Sequence, residues 1–295
     1  MKIDLNPHPS KITGQYPQIA YSELLSRISK RLNAAIITAP YPLGLDHFEL
    51  SKKAGEALRR AALQCEEKGG YSTSLPKFYL GHSLGSKLLS IQFAASGVRD
   101  AEGIGYMSYN NFGFKDTLSM VKDFADDFND GTPGPTGGIG GQGAMFDQIL
   151  DFAGEAVGMM GFDFNPDPAT MDRIVEMKYD GALQKKTRLF IFDNDDLDSS
   201  NGFIDACSGT GPSISRLKGK HLSPVYVKLG IDDLNISDEQ KPFVTEATGG
   251  FQNASFGDEE SMNGAVNEIC DWIMGKEPTE PSLLMGTSAE SGDKD

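Results

Sequence analysis

The pentapeptide Gly81-His82-Ser83-Leu84-Gly85 reads G-x-S-x-G. In that spacing a serine sits on a sharp strand-to-helix turn, where glycines let neighbouring backbone approach closely and the hydroxyl stands exposed as a nucleophile. A serine hydroxyl is a weak nucleophile unless a base takes its proton and an acid orients that base. On a turn of this kind both partners arrive later in the chain, the acid first and then a histidine. Of the four histidines, His8 lies too far ahead, His47 ends a Pro-Gly loop, and His82 sits within the turn with its side chain directed away from Ser83. His221, in the loop-like run GKHLSP at 219–224, is the remaining candidate base. The candidate acid is Asp195, the fourth position counting from Phe192 in Asp193-Asn194-Asp195-Asp196-Leu197-Asp198, with Asp196 and Asp198 as alternatives. The backbone N–H of Leu84, the residue after the nucleophile, is the candidate oxyanion donor.

The flanking elements must hold that turn. KFYL at 77–80 is a short apolar run ending at Gly81, and SKLLSIQFAA at 86–95 has helical character, so the order is strand, turn, helix. Elsewhere the chain alternates in the same way. Helices are expected at 20–32, 48–67, 168–183 and 262–274, and strands at 34–39 (AAIITA, stopped by Pro40 and Pro42), 103–108 (GIGYMS) and 187–192 (TRLFIF). Alternating strands and helices predict a doubly wound, mostly parallel α/β sheet. Residues 112–165 break the rhythm: GTPGPTGGIGGQG separates two acidic, Phe- and Met-rich segments and reads as a helical cap insertion. Phe114, Leu118, Val121, Phe124 and Phe128 could line one face of it, by packing alone or over a pocket mouth. Residues 1–276 are expected to form a single domain and 277–295 a disordered acidic tail.

Composition removes several function classes. A net charge of −15 repels phosphate backbones and anionic headgroups, so nucleic acid is not an expected partner. Cys65, Cys207 and Cys270 are widely spaced and suggest neither a disulfide framework nor a zinc site. No apolar run reaches the roughly 18 residues of a membrane span, and the first thirty residues lack a secretory segment. Gly138-Ile139-Gly140-Gly141-Gln142-Gly143 satisfies G-x-G-x-x-G, but Pro133 and Pro135 occupy the place of the strand a dinucleotide site needs. The aspartates at 193–198 fit no calcium-loop frame. No metal and no organic cofactor is implied.

The chain resembles an α/β-hydrolase-like family of cyanobacteria, algae and plant plastids, a domain of unknown function (DUF1350). The resemblance spans about residues 14–275. It rests on Pro17-Gln18-Ile19-Ala20-Tyr21-Ser22-Glu23-Leu24-Leu25, on Ala39-Pro40-Tyr41-Pro42 with Leu45-Asp46-His47, and on Gly81-His82-Ser83-Leu84-Gly85-Ser86-Lys87-Leu88. Phe164-Asn165-Pro166-Asp167-Pro168 with Thr170, the 195–198 block and the 219–224 block complete it. It implies an α/β-hydrolase fold and, by inheritance, a plastid (chloroplast) location; composition alone fits a soluble chain in a reducing, otherwise cytoplasmic, compartment. The family begins with a Gly-rich strand and loop that supplies a second oxyanion donor, and residues 1–14 carry no such glycine cluster. An incomplete product or a reduced activity is therefore expected.

Two functions follow as expectations. The first is a serine hydrolase of the esterase, lipase or thioesterase kind, acting on a small-molecule ester or acyl substrate through Ser83, Asp195 and His221. The second is a catalytically silent binding or assembly factor on the same scaffold. Dehalogenase-like or lyase chemistry is disfavoured, because the turn residue is Ser rather than Asp. The sequence names no protein partner.

Overall fold

The computed structural model describes residues 17–42, 44–98, 100–117, 163–230 and 253–278. Residues 118–162 of the expected 112–165 cap, the Gly138–Gly143 string within them, residues 1–16 and the tail from 279 onward lie outside them.

The described residues contain a four-stranded, all-parallel sheet in the order β1-β2-β3-β4. Its strands are β1 (Lys77–His82), β2 (Ala101–Met107), β3 (Thr187–Phe192) and β4 (Ser213–Leu217). Parallel neighbours require crossovers. These carry α4 (Leu84–Ser96) between β1 and β2, α5 (Pro168–Lys178) and α6 (Gly181–Lys186) ahead of β3, and α7 (Ser200–Ala206) between β3 and β4. Ahead of β1 stand α1 (Pro17–Ala20), α2 (Ser22–Leu32) and α3 (His47–Gly69). An antiparallel pair, β5 (Val227–Gly230) with β6 (Asn253–Phe256), precedes α8 (Glu259–Ile273).

The period of two along each strand sorts the core into two layers. Phe78, Met107, Phe190, Phe192 and Leu217 face Leu24 and Ile28 of α2 and Met262, Val266 and Ile269 of α8. Tyr79, Ile104, Tyr106, Leu189 and Ile191 face Leu89 and Phe93 of α4, Met171 and Val175 of α5, and Phe203 of α7. Gly103 and Gly105 make room on the first face. A Cβ at 103 would stand 2.6 Å from Trp272 Cζ2, and one at 105 would stand 2.7 Å from Leu80 Cδ1. Trp272 accordingly meets Phe78 and Phe190 edge-on. Helices on both faces of a parallel sheet, with a nucleophile-type turn between β1 and α4, make this an α/β-hydrolase fold.

Two local expectations are corrected, and two elements are added. Residues 34–39 form no strand: no ladder reaches them among the described residues, and Ile36 is 38% exposed. An apolar run is a strand only where a neighbour offers its hydrogen bonds, and Pro40 and Pro42 withdraw two donors at its end. The expected helix at 168–183 is two helices, because Asp180 accepts from the N–H groups of Ala182 and Leu183 and so starts a new one. Strand β4 and helix α7 had no sequence signal strong enough to find them. SISRL is only five residues long.

Candidate active site

Ser83 stands between β1 and α4 at φ 54°, ψ −125°, a left-handed conformation that non-glycine residues rarely adopt and that stores about 1–3 kcal/mol. The surroundings hold it there. Ser83 N–H donates to the Met107 carbonyl at 2.9 Å, and Ser86 Oγ donates to the same oxygen at 3.0 Å. A Cβ at Gly81 would lie 2.6 Å from the Gly85 carbonyl oxygen and 2.7 Å from Ser86 Cα, so backbone itself excludes any larger residue. Gly85 differs: a Cβ there would meet only the Tyr41 hydroxyl, at 3.5 Å. The requirement for small residues on both sides of the serine thus narrows to Gly81. Leu84 is the first residue of α4, so its N–H belongs to the unpaired first turn of that helix.

The other site residues come from the loops after β3 and β4, at the carboxyl edge of the sheet, where open α/β folds gather their functional groups. The two loops are tied together. Asp193 Oδ1 accepts from Gly219 N–H at 2.9 Å, and Asn194 N–H donates to the Gly219 carbonyl at 3.0 Å. Gly219 has φ 135° and packs against Ser223, whose Oγ accepts from Lys220 N–H at 2.8 Å. His221 is thereby turned inward. Its Nε2 is 2.8 Å from Ser83 Oγ, and its Nδ1 is 3.0 Å from each carboxylate oxygen of Asp195.

Asp195 has a side chain with no exposed surface. Burial pushes its carboxyl upward, but the hydrogen bond and charge of His221, with the Leu197 amide, outweigh this and hold it below the usual carboxylate range. The two alternative acids go elsewhere. Asp196 is exposed, and Asp198 Oδ1 accepts from Ser200 N–H at 2.5 Å, at the start of α7. Burial, first of all, raises Asp198 to about 6.

Sequence reasoning missed two neighbours. The His82 ring is bonded at both nitrogens: Nδ1 is 2.7 Å from the Tyr21 hydroxyl and Nε2 is 2.8 Å from the His221 carbonyl oxygen. Loss of solvent around the ring, and then the nearby His221, lower its pKa to about 3. Tyr21 lies in the Pro17–Leu25 block that carries part of the family resemblance, but nothing in its sequence setting points to His82.

The remaining family-like blocks meet beside α4. Asp46 caps α3, accepting from Glu49 N–H at 3.1 Å, and the next residue, His47, is buried with its ring 4.4 Å from that of Phe164. The His47 and Phe48 amides donate to the Asn165 carbonyl, while Lys87, 1% exposed on α4, donates to the Pro166 carbonyl at 3.1 Å. Burial lowers Lys87 to about 8, against the pull of Asp163, Asp167 and Asp172. Burial likewise lowers His47 to about 3. Among the described residues no group of three or more His, Cys, Asp or Glu could hold a metal ion, and no helix is long and apolar enough to cross a membrane.

Residues 10–256 match the model of a family described as "Protein of unknown function (DUF1350)". The chain belongs to that family. No curated protein matches it by sequence. Among solved structures, the DUF1350 chain is similar to carboxyl esterase 2 of the mycorrhizal fungus Tuber melanosporum, with 16% identity, a TM-score of 0.46, and 82% of this chain and 75% of that one covered. It is also similar to a soluble variant of monoglyceride lipase from Saccharomyces cerevisiae, with 13% identity, a TM-score of 0.41, and 81% and 72% covered. A thioesterase domain from the curacin biosynthetic pathway is similar at 11% identity and a TM-score of 0.35, with 70% and 75% covered. The fold of the DUF1350 chain is read from its own strand order, crossover helices and turn.

Proposed function

We propose that this DUF1350 chain is a serine hydrolase acting on an ester or acyl substrate. The observation that carries the reading is the unbroken run of hydrogen-bond distances from Ser83 Oγ through the His221 imidazole to Asp195. Ser83 Oγ attacks the carbonyl carbon of the substrate while His221 Nε2 takes the hydroxyl proton. Asp195, ionised at neutral pH, accepts from Nδ1–H and so keeps Nε2 free to act as the base. The negative charge that develops on the carbonyl oxygen is met by the Leu84 N–H. His221 returns the proton to the leaving group, and a water molecule, activated by the same imidazole, releases the acyl group from Ser83.

The Phe- and Met-rich composition of 112–165 supports an apolar acyl group, and the family resemblance supports a plastid location. The rival reading is a silent binding or assembly factor on the same scaffold, since a fold does not fix a function. A fluorophosphonate probe with intact-mass analysis separates the two. Labelling of the wild type that disappears in Ser83→Ala and falls steeply in His221→Ala is the expected result. A folded wild type that takes no label overturns the hydrolase reading.

A further inference from the structure

His82 neighbours the nucleophile in sequence, yet it bonds to the backbone of the base. Its ring meets Tyr21 edge-on, with centroids 5.6 Å apart, and lies 5.1 Å from the His221 ring. The proton on each nitrogen follows from the partners. A carbonyl oxygen only accepts, so the nitrogen facing His221 carries the hydrogen. The ring is neutral at physiological pH, its pKa lying near 3, so Nδ1 is bare and accepts from the Tyr21 hydroxyl. Tyr21 is itself held between α1 and α2, its amide donating to the Pro17 carbonyl at 3.0 Å and its side chain packed on the core that includes Leu24 and Ile28.

His82 therefore spans from the strand end that carries Ser83 to the loop that carries the base. Resting on the hydrolase reading, we infer that His82 is a positioning residue: by donating Nε2–H to the His221 carbonyl, with Tyr21 fixing the tautomer, it sets the imidazole at bonding distance from Ser83 Oγ. The loop at 219–224 has its own ties to Asp193 and Asn194, but those lie before His221, at Gly219. The bond from His82 is made to the base residue itself, and it comes from the element that bears the nucleophile. A misplacement of about 1 Å in such a constellation costs on the order of a hundredfold in rate.

The test uses the full-length chain with p-nitrophenyl butyrate and a fluorophosphonate probe, together with nitrogen-15 NMR of histidine-labelled protein. His82→Phe keeps an aromatic ring and removes both hydrogen bonds. It is expected to lower kcat and the labelling rate by about ten- to a hundredfold, with KM changed by less than about threefold. His82→Gln, whose amide can still donate to the carbonyl, is expected to recover part of that loss. In the wild type, His82 is expected to show the Nε2–H tautomer from about pH 5 to 8. Tyr21→Phe is expected to mix the two tautomers, and His82→Phe to shift the ring signals of His221.

A His82→Phe protein that folds, turns over within about twofold of the wild type and leaves the His221 signals unmoved overturns the inference. So does a His82 that titrates near its ordinary value of about 6.5. Should the wild type take no label, the hydrolase reading falls by itself. The tautomer of His82 and the response of the His221 signals then decide whether His82 orders that loop.

Discussion

His221 Nε2 lies 2.8 Å from Ser83 Oγ although 138 residues separate them in the chain. The contact exists because β1 and β4 are both strands of one parallel sheet, so the turn after one and the loop after the other emerge at the same edge. Asp195 arrives there by the same route, after β3.

This arrangement separates the three acids that follow β3. Asp195→Asn is expected to lower the fluorophosphonate labelling rate by about 10³–10⁴-fold, because the amide no longer holds the imidazole in the tautomer with a free Nε2. Asp196→Asn and Asp198→Asn are expected to stay within about threefold of the wild type, since neither side chain bonds to His221. Labelling rates of the three variants, measured side by side, check this.

Asp198 has a distinct signature in stability. Its pKa in the folded chain, about 6, lies above the ordinary 3.8, so between those values the folded state binds more protons than the unfolded one. Stability contributed by this group is present at low pH and is lost as pH rises through the window, by up to about 3 kcal/mol. Asp198→Asn keeps an oxygen for the Ser200 amide and removes the ionisation. The expected result is a higher Tm at neutral pH and a flatter Tm profile between about pH 4 and 6, read by thermal melts.

The two glycines of the turn are not equivalent. Gly81→Ala places a methyl against backbone of residues 85 and 86, which cannot move without shifting Ser83. A loss of at least about 1–3 kcal/mol is expected, with loss of labelling. Gly85→Ala meets only the Tyr41 hydroxyl at ordinary contact distance, inside a helix where alanine is favoured. It is expected to be neutral or stabilising by up to about 1 kcal/mol. Denaturant melts of both variants decide.

Lys87 carries a cost of its own. With its pKa lowered to about 8 by burial, the folded chain holds this proton less tightly than the unfolded one. Between pH 8 and the ordinary 10.5 the unfolded state binds more protons, so the group's contribution to stability improves as pH rises through that window. Lys87→Met is expected to raise Tm at neutral pH and to remove that rise. The lost bond to the Pro166 carbonyl offsets part of the gain.

Much of this protein was legible in local rules. The G-x-S-x-G spacing between KFYL and SKLLSIQFAA reads as a strand, a turn and a helix, because steric limits at Gly81 and apolar periodicity act over a few residues. The alternation of strand and helix likewise implies a parallel sheet. The structure alone decided what depends on neighbours distant in the chain. Residues 34–39 have the composition of a strand and no ladder, since backbone hydrogen bonds need a partner. Short β4 becomes a strand because β3 offers one. Asp195, Asp196 and Asp198 are the same residue type within four positions, and only the meeting of the loops after β3 and β4 sends one to His221, one to solvent and one to α7. The bond from His82 to the His221 carbonyl had no signal at all, because a histidine one residue from the nucleophile looks the same in sequence whatever its ring reaches, and that is set by packing.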